Sequence, residues 1–401
     1  RIEYDINDGF ITLTDVETRI KIYKKEGYDW ANQKVWYYNN GSFKEKVSFS
    51  DAVTYNLVDG KIEKTKLKSD GAFDEVINKF RGQKKITMPN VKEGSVIEFS
   101  YSVRSPSAQS IREWDFQSSI PVNYSEFKTY VPEYYVFNTK QRGYVYPKIT
   151  TEKNSKDIIF TSKERSDGVS RTSFSQDKVS YQETQTTYVA TDFPAMKEEA
   201  YVNNIDNYTS SIAHELSMTR FPNSPLKTFS TDWNSVTKTI YDYDDFGPEL
   251  NKTGYFEEDL KKILADKNTV EEKILVIFDH VKANVKWNDY YGYGCDNGVK
   301  KAYKEKTGNI ADINLMLTAM LRYAGLTANP VLVSTRSNGI SVFPNRTAFN
   351  YVIAAVETPN GNILLDASDK FATPNILPFR ALNWLGRLIR KDGSSEEVDL
   401  M

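Results

Sequence analysis

Residues 308–326 read GNIADINLMLTAMLRYAGL, and the rest of the chain is organised around this stretch. Its apolar side chains recur every three or four residues, which predicts a helix buried along one face. Asn309 is a residue type that caps helices, Asp312 suits the positive end of the helix dipole, and Gly325 supplies the stop. The first turn of such a helix is where a nucleophilic thiol would gain from the dipole. Here that position holds Ile310.

The same stretch resembles the core motif of the transglutaminase-like superfamily. That motif is close to Gly-Asp/Asn-Cys-x-Asp, followed by an apolar helix that ends Leu-Arg-x-Ala-Gly-Ile. Gly308, Asn309 and Asp312 match its beginning, and residues 321–326, LRYAGL, match its end. Ile310 stands where the family has its cysteine.

The resemblance extends to the family's histidine and aspartate. The histidine often lies on a strand in the context Phe-Asn-His-Val, whereas residues 349–352 read FNYV, so that Tyr351 replaces it. The aspartate follows in the context Leu-Leu-Asp-Ala-Thr/Ser-Asp, and residues 364–369 read LLDASD with Asp366 in place. The three positions keep the family's order of cysteine, histidine and aspartate.

These replacements remove the chemistry of the family's catalytic triad. Isoleucine offers no nucleophile, and a tyrosine with a pKa near 10 is a poor base at neutral pH. Asp366 alone cannot carry out acyl transfer, which needs a thiolate and a base. The resemblance therefore implies a degenerate triad at Ile310, Tyr351 and Asp366, with no catalytic residue of the family's type.

The first half of the chain predicts β-strands joined by turns. In residues 94–103, GSVIEFSYSV, the side chains of Ile97, Phe99, Tyr101 and Val103 alternate with polar ones, so one face of a sheet is buried. Many such strands indicate a β-sandwich or a related two-layer sheet domain. Residues 73–80 suggest a short helix, with an irregular crossover as the alternative.

This half resembles the β-rich DUF3857 domain, which commonly precedes a transglutaminase-like core in proteins of the Bacteroidetes. The resemblance rests on residues 89–98, 114–117 and 120–122, and residues 192–196 resemble the passage to the next domain. It implies an antiparallel β-sandwich-like domain over residues 1–195 and a transglutaminase-like α+β domain, with the papain-like fold, over residues 196–401. Residues 384–390 resemble the lead-in to the family's third, β-rich domain, which would then be absent from this chain.

Composition narrows the classes of function and partner. The chain has 401 residues with a net charge of -2, which favours two domains and argues against nucleic acid or an anionic membrane as a partner. One cysteine, Cys295, excludes an internal disulfide, and the two histidines, His214 and His280, lack zinc-site spacing. We expect no metal and no cofactor, and no apolar run is long enough for membrane insertion.

The candidates for a binding cleft come from the loop before the helix and from the degenerate triad. Residues 287–295, WNDYYGYGC, either form an aromatic wall facing a ligand or a glycine-containing turn over the helices. Cys295 has no neighbouring base and lies too far from residue 310 to be the displaced nucleophile. The cleft candidates are Trp287, Tyr291, Tyr293, Asp312, Asn350, Tyr351 and Asp366.

Three hypotheses about function follow. The preferred one is a catalytically inactive transglutaminase-like protein that binds a peptide, glycan or protein partner, located in the periplasm or at the cell surface. The second is a hydrolase with relocated chemistry that uses carboxylates such as Asp312, Asp366 and Asp369, which would need a defined separation. The third is a purely structural module of the cell envelope. An open pocket of ligand size would favour the first over the third.

Overall fold

The fold comes from a computed structural model that describes residues 1–40, 43–68, 71–78, 81–165, 172–229, 232–340 and 344–401. The first half of the chain is built mainly of strands. In chain order these are β1 (Ile2–Asp5), β2 (Gly9–Lys21), β3 (Asn32–Asn40), β4 (Phe43–Lys44), β5 (Lys46–Val58), β6 (Lys61–Lys66), β7 (Ala72–Asn78), β8 (Arg81–Thr87), β9 (Val96–Ser105), β10 (Ser110–Asp115), β11 (Val122–Pro132), β12 (Tyr135–Arg142), β13 (Lys148–Arg165) and β14 (Thr172–Phe193).

The second half mixes helices and strands. Its elements are β15 (Ser211–Thr219), β16 (Lys227–Thr228), α1 (Trp233–Tyr241), α2 (Glu257–Ile263), α3 (Val270–Asn284), β17 (Lys286–Trp287), α4 (Val299–Glu305), β18 (Thr307–Gly308), α5 (Ile310–Tyr323), β19 (Ala328–Val333), β20 (Tyr351–Thr358), β21 (Gly361–Leu365), β22 (Leu385–Ile389) and β23 (Ser395–Asp399). No helix of the described residues is both long and apolar enough to cross a membrane.

The chain divides into two compact units that do not follow a single cut in the sequence. The N-terminal unit comprises Arg1–Trp114, Tyr124–Tyr135 and Pro147–Thr191. The C-terminal unit comprises Asp115–Asn123, Val136–Tyr146 and Asp192–Met401. The domain bounds expected from the sequence, 1–195 and 196–401, stay a prediction.

The N-terminal unit consists of antiparallel sheets, as its alternating sequence predicts. A five-stranded sheet has the order β1-β2-β9-β5-β6, a four-stranded sheet has the order β4-β3-β8-β7, and a three-stranded sheet has the order β11-β14-β13. Val35 and Tyr37 of β3 pack against Val47 of β5 and Val103 of β9, so the first two sheets share a core. The buried face of β9 is confirmed, with Ile97 and its alternating neighbours turned inward. The domain is thus β-rich and layered.

The short helix suggested for residues 73–80 is wrong. Residues 72–78 form β7, an antiparallel partner of β8, while residues 79–80 lie outside the described residues. Apolar side chains at Phe73, Val76 and Ile77 mimic the helical period. Pairing with β8 supplies the backbone hydrogen bonds that a lone amphipathic turn would have to make for itself, and a β-bulge between Val76 and Asn78 explains the broken alternation.

The C-terminal unit is α+β, with helix α5 packed against a sheet of order β21-β20-β19-β22-β23. The predicted cap is confirmed, since Asn309 Oδ1 accepts from the Asp312 N–H at 2.8 Å and Asp312 Oδ2 accepts from the Asn309 N–H at 3.0 Å. Twelve residues of α5, from Ile310 to Leu321, are buried. The helix is therefore surrounded by protein rather than buried along one face only.

The tail of the chain belongs to this sheet. Residues 384–390, which resemble the lead-in to a third domain, contain β22, which pairs with β19, and β23 pairs with β22 in turn. Val331 and Leu388 face each other in this ladder. The apolar residues of the tail are thus explained by burial in the core sheet.

Cleavage of the chain near residues 195–205 is expected to leave the two fragments associated. Strand β12 and residues 115–123 come from the N-terminal side of the cut but pack within the C-terminal unit, where the Phe116 N–H donates to the Ser210 carbonyl at 2.7 Å. Such buried backbone pairing keeps the fragments together without a peptide link. Limited proteolysis followed by gel filtration measures this, and fragments that separate without denaturant would contradict it.

Candidate functional site

The three degenerate triad positions lie around the start of α5. Ile310 and Tyr351 belong to the same buried core, and α5 packs along β20, which begins at Tyr351. The Ile310 N–H donates to the Tyr290 carbonyl at 3.4 Å, and the ring of the next residue, Tyr291, lies 5.9 Å from the Tyr351 ring. The loop before α5 therefore bridges the first turn of the helix and the strand.

The Tyr351 side chain is fully buried and its hydroxyl is the centre of a polar cluster. The hydroxyl donates to Asp366 Oδ2 at 2.7 Å, lies 2.9 Å from Ser368 Oγ, and accepts from Arg380 Nε at 2.9 Å. Burial, and then the Asp366 carboxylate, raise the pKa of Tyr351 well above its ordinary value. The phenol thus stays protonated, where it is a hydrogen-bond donor and not a base.

Asp366 is fully buried, and its hydrogen-bonding capacity is met by neighbours. Besides the Tyr351 hydroxyl, its carboxylate accepts from Asn314 Nδ2 at 3.0 Å and from Ser368 Oγ at 2.6 Å. Asn314 also donates to the Val352 carbonyl at 3.0 Å and accepts from the Ala367 N–H at 2.9 Å. The carboxylate is therefore fixed between α5, β20 and the end of β21.

Arg380 closes the cluster on the side of the aromatic loop. Its guanidinium donates to Ser368 Oγ at 3.1 Å and forms an ion pair with Asp369 at 3.0 Å, in addition to its bond with Tyr351. It also stacks on the Trp287 ring, with 4.5 Å between Cζ and the ring centroid. An arginine in this position keeps its charge at any working pH. Its permanent positive charge therefore balances the negative charges of the buried Asp366 and the mostly buried Asp369 carboxylates.

The structure brings four of the seven cleft candidates into this cluster. They are Trp287, Tyr291, Tyr351 and Asp366. Asn350 lies beside Tyr351 in the chain, but its amide pairs with Thr335, accepting from the N–H and donating to Oγ1, each at 2.9 Å. The Tyr293 hydroxyl donates to the Arg346 carbonyl at 3.2 Å. These two side chains hold loops in place.

Asp312 lies apart from the cluster and is completely buried. Its carboxylate caps its own helix and accepts from the Gly298 N–H at 2.9 Å and the Asn297 N–H at 3.3 Å. Burial raises its pKa despite these bonds. The Asp312 carboxylate thus ties residues 297–298 to α5 and has no exposed surface of its own.

The lone thiol is buried and close to Asp312. Burial first, and then the Asp312 and Glu249 carboxylates, raise the pKa of Cys295 well above its usual range. A cavity of about 630 Å³ passes beside it, lined by carboxylates and lysines of residues 244–252 and 295–305. Since thiolate is the reactive form, this environment disfavours nucleophilic chemistry at Cys295. Among the described residues no group of three or more His, Cys, Asp or Glu side chains could hold a metal ion.

Three members of the cluster, Asn314, Ser368 and Arg380, were not among the site residues predicted from the sequence. Asn314 occupies a position on the apolar stripe of α5, and a polar residue on a buried face signals a specific hydrogen-bonding role. Arg380 carries no such signal, because the segment that contains it has no regular period. Neither histidine belongs to the cluster. His214 is mostly buried in β15, and His280 Nε2 lies 3.0 Å from the Tyr303 hydroxyl.

Comparisons with known proteins match two separate stretches of the chain. Residues 13–165 match the model of DUF3857, a domain of unknown function with a solved structure, and residues 259–363 match that of the transglutaminase-like superfamily. A crystal structure of a "putative protease" from Parabacteroides distasonis aligns with a TM-score of 0.65 at 13% identity, covering 98% of this chain and 69% of that one. A "putative cysteine protease" from Cytophaga hutchinsonii aligns at 14% identity over 64% of this chain and 77% of that one, with a TM-score of 0.25. No curated protein matches the sequence.

Proposed function

We propose that this chain, which joins a DUF3857 domain to a transglutaminase-like core, is a catalytically inactive binding protein that takes a peptide segment of a protein partner at the surface beside its buried, degenerate triad. The observation that carries the proposal is the cluster of Tyr351, Asp366, Ser368 and Arg380. Acyl transfer needs a base at this place and room for the substrate carbonyl. The cluster has the protonated phenol of Tyr351 and the guanidinium of Arg380 there instead. With Ile310 at the nucleophile position, the geometry supports holding a ligand and not cleaving it.

The alternative of relocated carboxylate chemistry has less support. A pair of carboxylates that works as acid and base must face the substrate across a set separation. Asp312 and Asp366 are both fully buried and accept hydrogen bonds from their own surroundings, and Asp369 is paired with Arg380. Each carboxylate is thus engaged in holding the fold, which favours binding over hydrolysis.

The surface outside the cluster supports a peptide ligand. We call Trp287, Tyr290, Tyr291 and Arg380 the mouth surface. Tyr290 and Tyr291 are exposed, the Trp287 and Tyr291 rings meet edge to face at 5.4 Å, and Arg380 stacks on Trp287. Tryptophan, tyrosine and arginine are the residues that dominate the energetics of protein interfaces, and here they are already held rigidly together.

Selection from a displayed library of random peptides tests the proposal. Peptides selected on the wild-type protein are expected to bind a Trp287→Ala/Tyr291→Ala double variant at least about tenfold more weakly, which is a normal loss for two interface aromatics. Tyr323→Ala is the matched control, because Tyr323 is similarly exposed but lies at the far end of α5, about 20 Å from Ile310. Failure to select any peptide, or equal binding to both variants, would refute a peptide-binding surface.

We also propose that the protein works in the cell envelope, in the periplasm or at the cell surface. The motivation is the resemblance of its paired domains to proteins of the Bacteroidetes. Fractionation of native cells with antibodies against the chain tests this. Recovery with cytosolic markers would contradict the proposed location while leaving the peptide-binding proposal intact.

A further inference from the structure

The outer face of the four-stranded sheet in the N-terminal unit carries a row of exposed aromatic rings. Alternation along β3 turns Val35 and Tyr37 into the core, so Trp36 and Tyr38 point to the opposite face. Trp36 is 47% exposed, Tyr38 is 39% exposed, and Phe73 on β7 is 59% exposed. Three large rings on one sheet face exceed the scattered apolar residues normal for a surface, and such groupings mark binding sites.

Polar side chains of β7 and β8 lie beside these rings on the same face of the sheet. Trp36, Gln83 and Glu75 are cross-strand neighbours in one row across β3, β8 and β7. Gln83 Nε2 donates to Glu75 Oε2 at 2.6 Å, and Lys85 forms an ion pair with Glu75. Lys85 and then Gln83 lower the pKa of Glu75, so the carboxylate is charged but balanced. We call Trp36, Tyr38, Phe73, Glu75, Gln83 and Lys85 the sheet platform.

One buried acceptor on the sheet platform has no hydrogen-bond partner. Gln83 is only 4% exposed, although it lies on the outer face, because its neighbours cover it. Its Nε2 is used by Glu75, while its Oε1 accepts no hydrogen bond within the described structure. Buried polar atoms are nearly always paired, and an unpaired one at a surface row points to a donor that arrives with a ligand.

We propose that the sheet platform binds a neutral polysaccharide chain. Sugar rings offer C–H faces that stack on flat aromatic rings, and their hydroxyl groups both donate and accept hydrogen bonds. Glu75 and Gln83 Oε1 accept from such hydroxyls, and Lys85 donates to them. Trp36 and Tyr38 are separated by two strand residues, about 7 Å. This spacing lets neighbouring sugar rings of an extended polysaccharide stack on the Trp36 and Tyr38 side chains.

The acceptors at the centre of the platform favour a ligand that brings hydroxyl donors. Glu75 and Gln83 Oε1 lie in the central row and can accept from hydroxyl groups, whereas phosphate oxygens have no proton to donate to them. Glu75 is paired with Lys85, and the other cations of this face, Lys34 and Arg81, lie in the rows on either side. Hydroxyl-rich uncharged chains therefore fit best. The site lies on the N-terminal unit and does not depend on the proposed peptide-binding surface.

Affinity electrophoresis of the full chain in native gels tests the proposal, with soluble polymers of glucose, mannose, galactose or xylose cast into the gel. We expect retardation by at least one polymer, with an affinity unchanged between about 0.1 M and about 1 M salt, since no charge is screened. Trp36→Ala should weaken it at least about tenfold, and Glu75→Gln by a smaller factor. Tyr23→Ala, at another exposed tyrosine of the same unit, is the control and should change nothing.

Several outcomes would overturn the proposal. One is free migration of the wild-type protein in every gel, and another is equal retardation of Trp36→Ala and wild type. Binding to a single-stranded oligonucleotide that collapses with salt would assign the face to nucleic acid. A dimer in sedimentation that Trp36→Ala dissociates would assign it to a second copy of this chain. Unchanged thermal unfolding of each variant shows that lost binding is not lost folding.

Discussion

Replacing Asp366 with alanine is expected to lower the free energy of unfolding of the transglutaminase-like core by about 3 kcal/mol or more. The change leaves the Tyr351 hydroxyl, the Asn314 amide and the Ser368 hydroxyl without their shared buried acceptor, and it removes the carboxylate charge that stabilises the nearby Arg380 guanidinium. If Asp366 were retained for catalysis, its replacement would instead leave the stability unchanged or raise it. Urea denaturation of the wild type and the variant, monitored by fluorescence and circular dichroism, measures the difference in the free energy of unfolding.

Asp369→Ala is the matched control for this experiment. Asp369 also pairs with Arg380, but both side chains of this pair keep about a fifth of their surface exposed, 21% each. Loss of such a partly exposed pair is expected to cost no more than about 1 kcal/mol. If Asp366→Ala proves as stable as Asp369→Ala, the buried cluster is not what holds this part of the core together.

Acidification from pH 7 to about pH 4.5 is expected to remove about 2–3 kcal/mol of stability through His214 alone. Burial in β15, against the ring of Phe137 at 6.5 Å, lowers the pKa of His214 to about 4. The unfolded chain takes up this proton near pH 6.5, while the folded chain resists it until about pH 4. The unfolded state therefore binds more protons in that window, and stability falls as the pH falls through it.

The variant His214→Phe isolates this contribution. It replaces a neutral buried ring with another and has no proton to gain, so its stability should fall less than that of the wild type between pH 6.5 and 4.5. His280→Gln serves as the comparison, because His280 is only half-buried and the nearby Asp259 opposes the lowering of its pKa. Parallel pH profiles for the wild type and His214→Phe, from chemical denaturation at each pH, would contradict the assignment.

The helix and strands of the core could be predicted because their local signals agree with their packing. Asn309 caps α5, apolar residues fill it, and residues 351–356 form the strand beside it, as periodicity and turn residues indicate. Local and tertiary preferences conflict in β7, whose apolar residues have a helical spacing although the segment pairs with the adjacent strand β8. The pairing of β22 with β19 could not be predicted, because the partner strand is distant in sequence and leaves no local signal.

The site was predictable only as far as its motif extends. Tyr351 and Asp366 were placed by the resemblance, and the structure joins them through a hydroxyl-to-carboxylate bond. Arg380 completes the cluster from an irregular segment, where side-chain position depends on the folded chain and not on sequence spacing. Asp312 shows the reverse error, since a carboxylate at a motif position can be consumed entirely by caps and turns.

The proposed loss of the family's thiol chemistry is tested most directly by incubating the full chain with a glutamine-containing peptide and a primary amine, and following the peptide by mass spectrometry. With Ile310 and Tyr351 at the nucleophile and base positions, and Cys295 buried with a raised pKa, no peptide should exchange its amide for the amine or be cleaved. Pretreatment with iodoacetamide should make no difference. Amine incorporation or cleavage that iodoacetamide abolishes would contradict the inactive core and assign the reaction to Cys295, the one thiol of the chain.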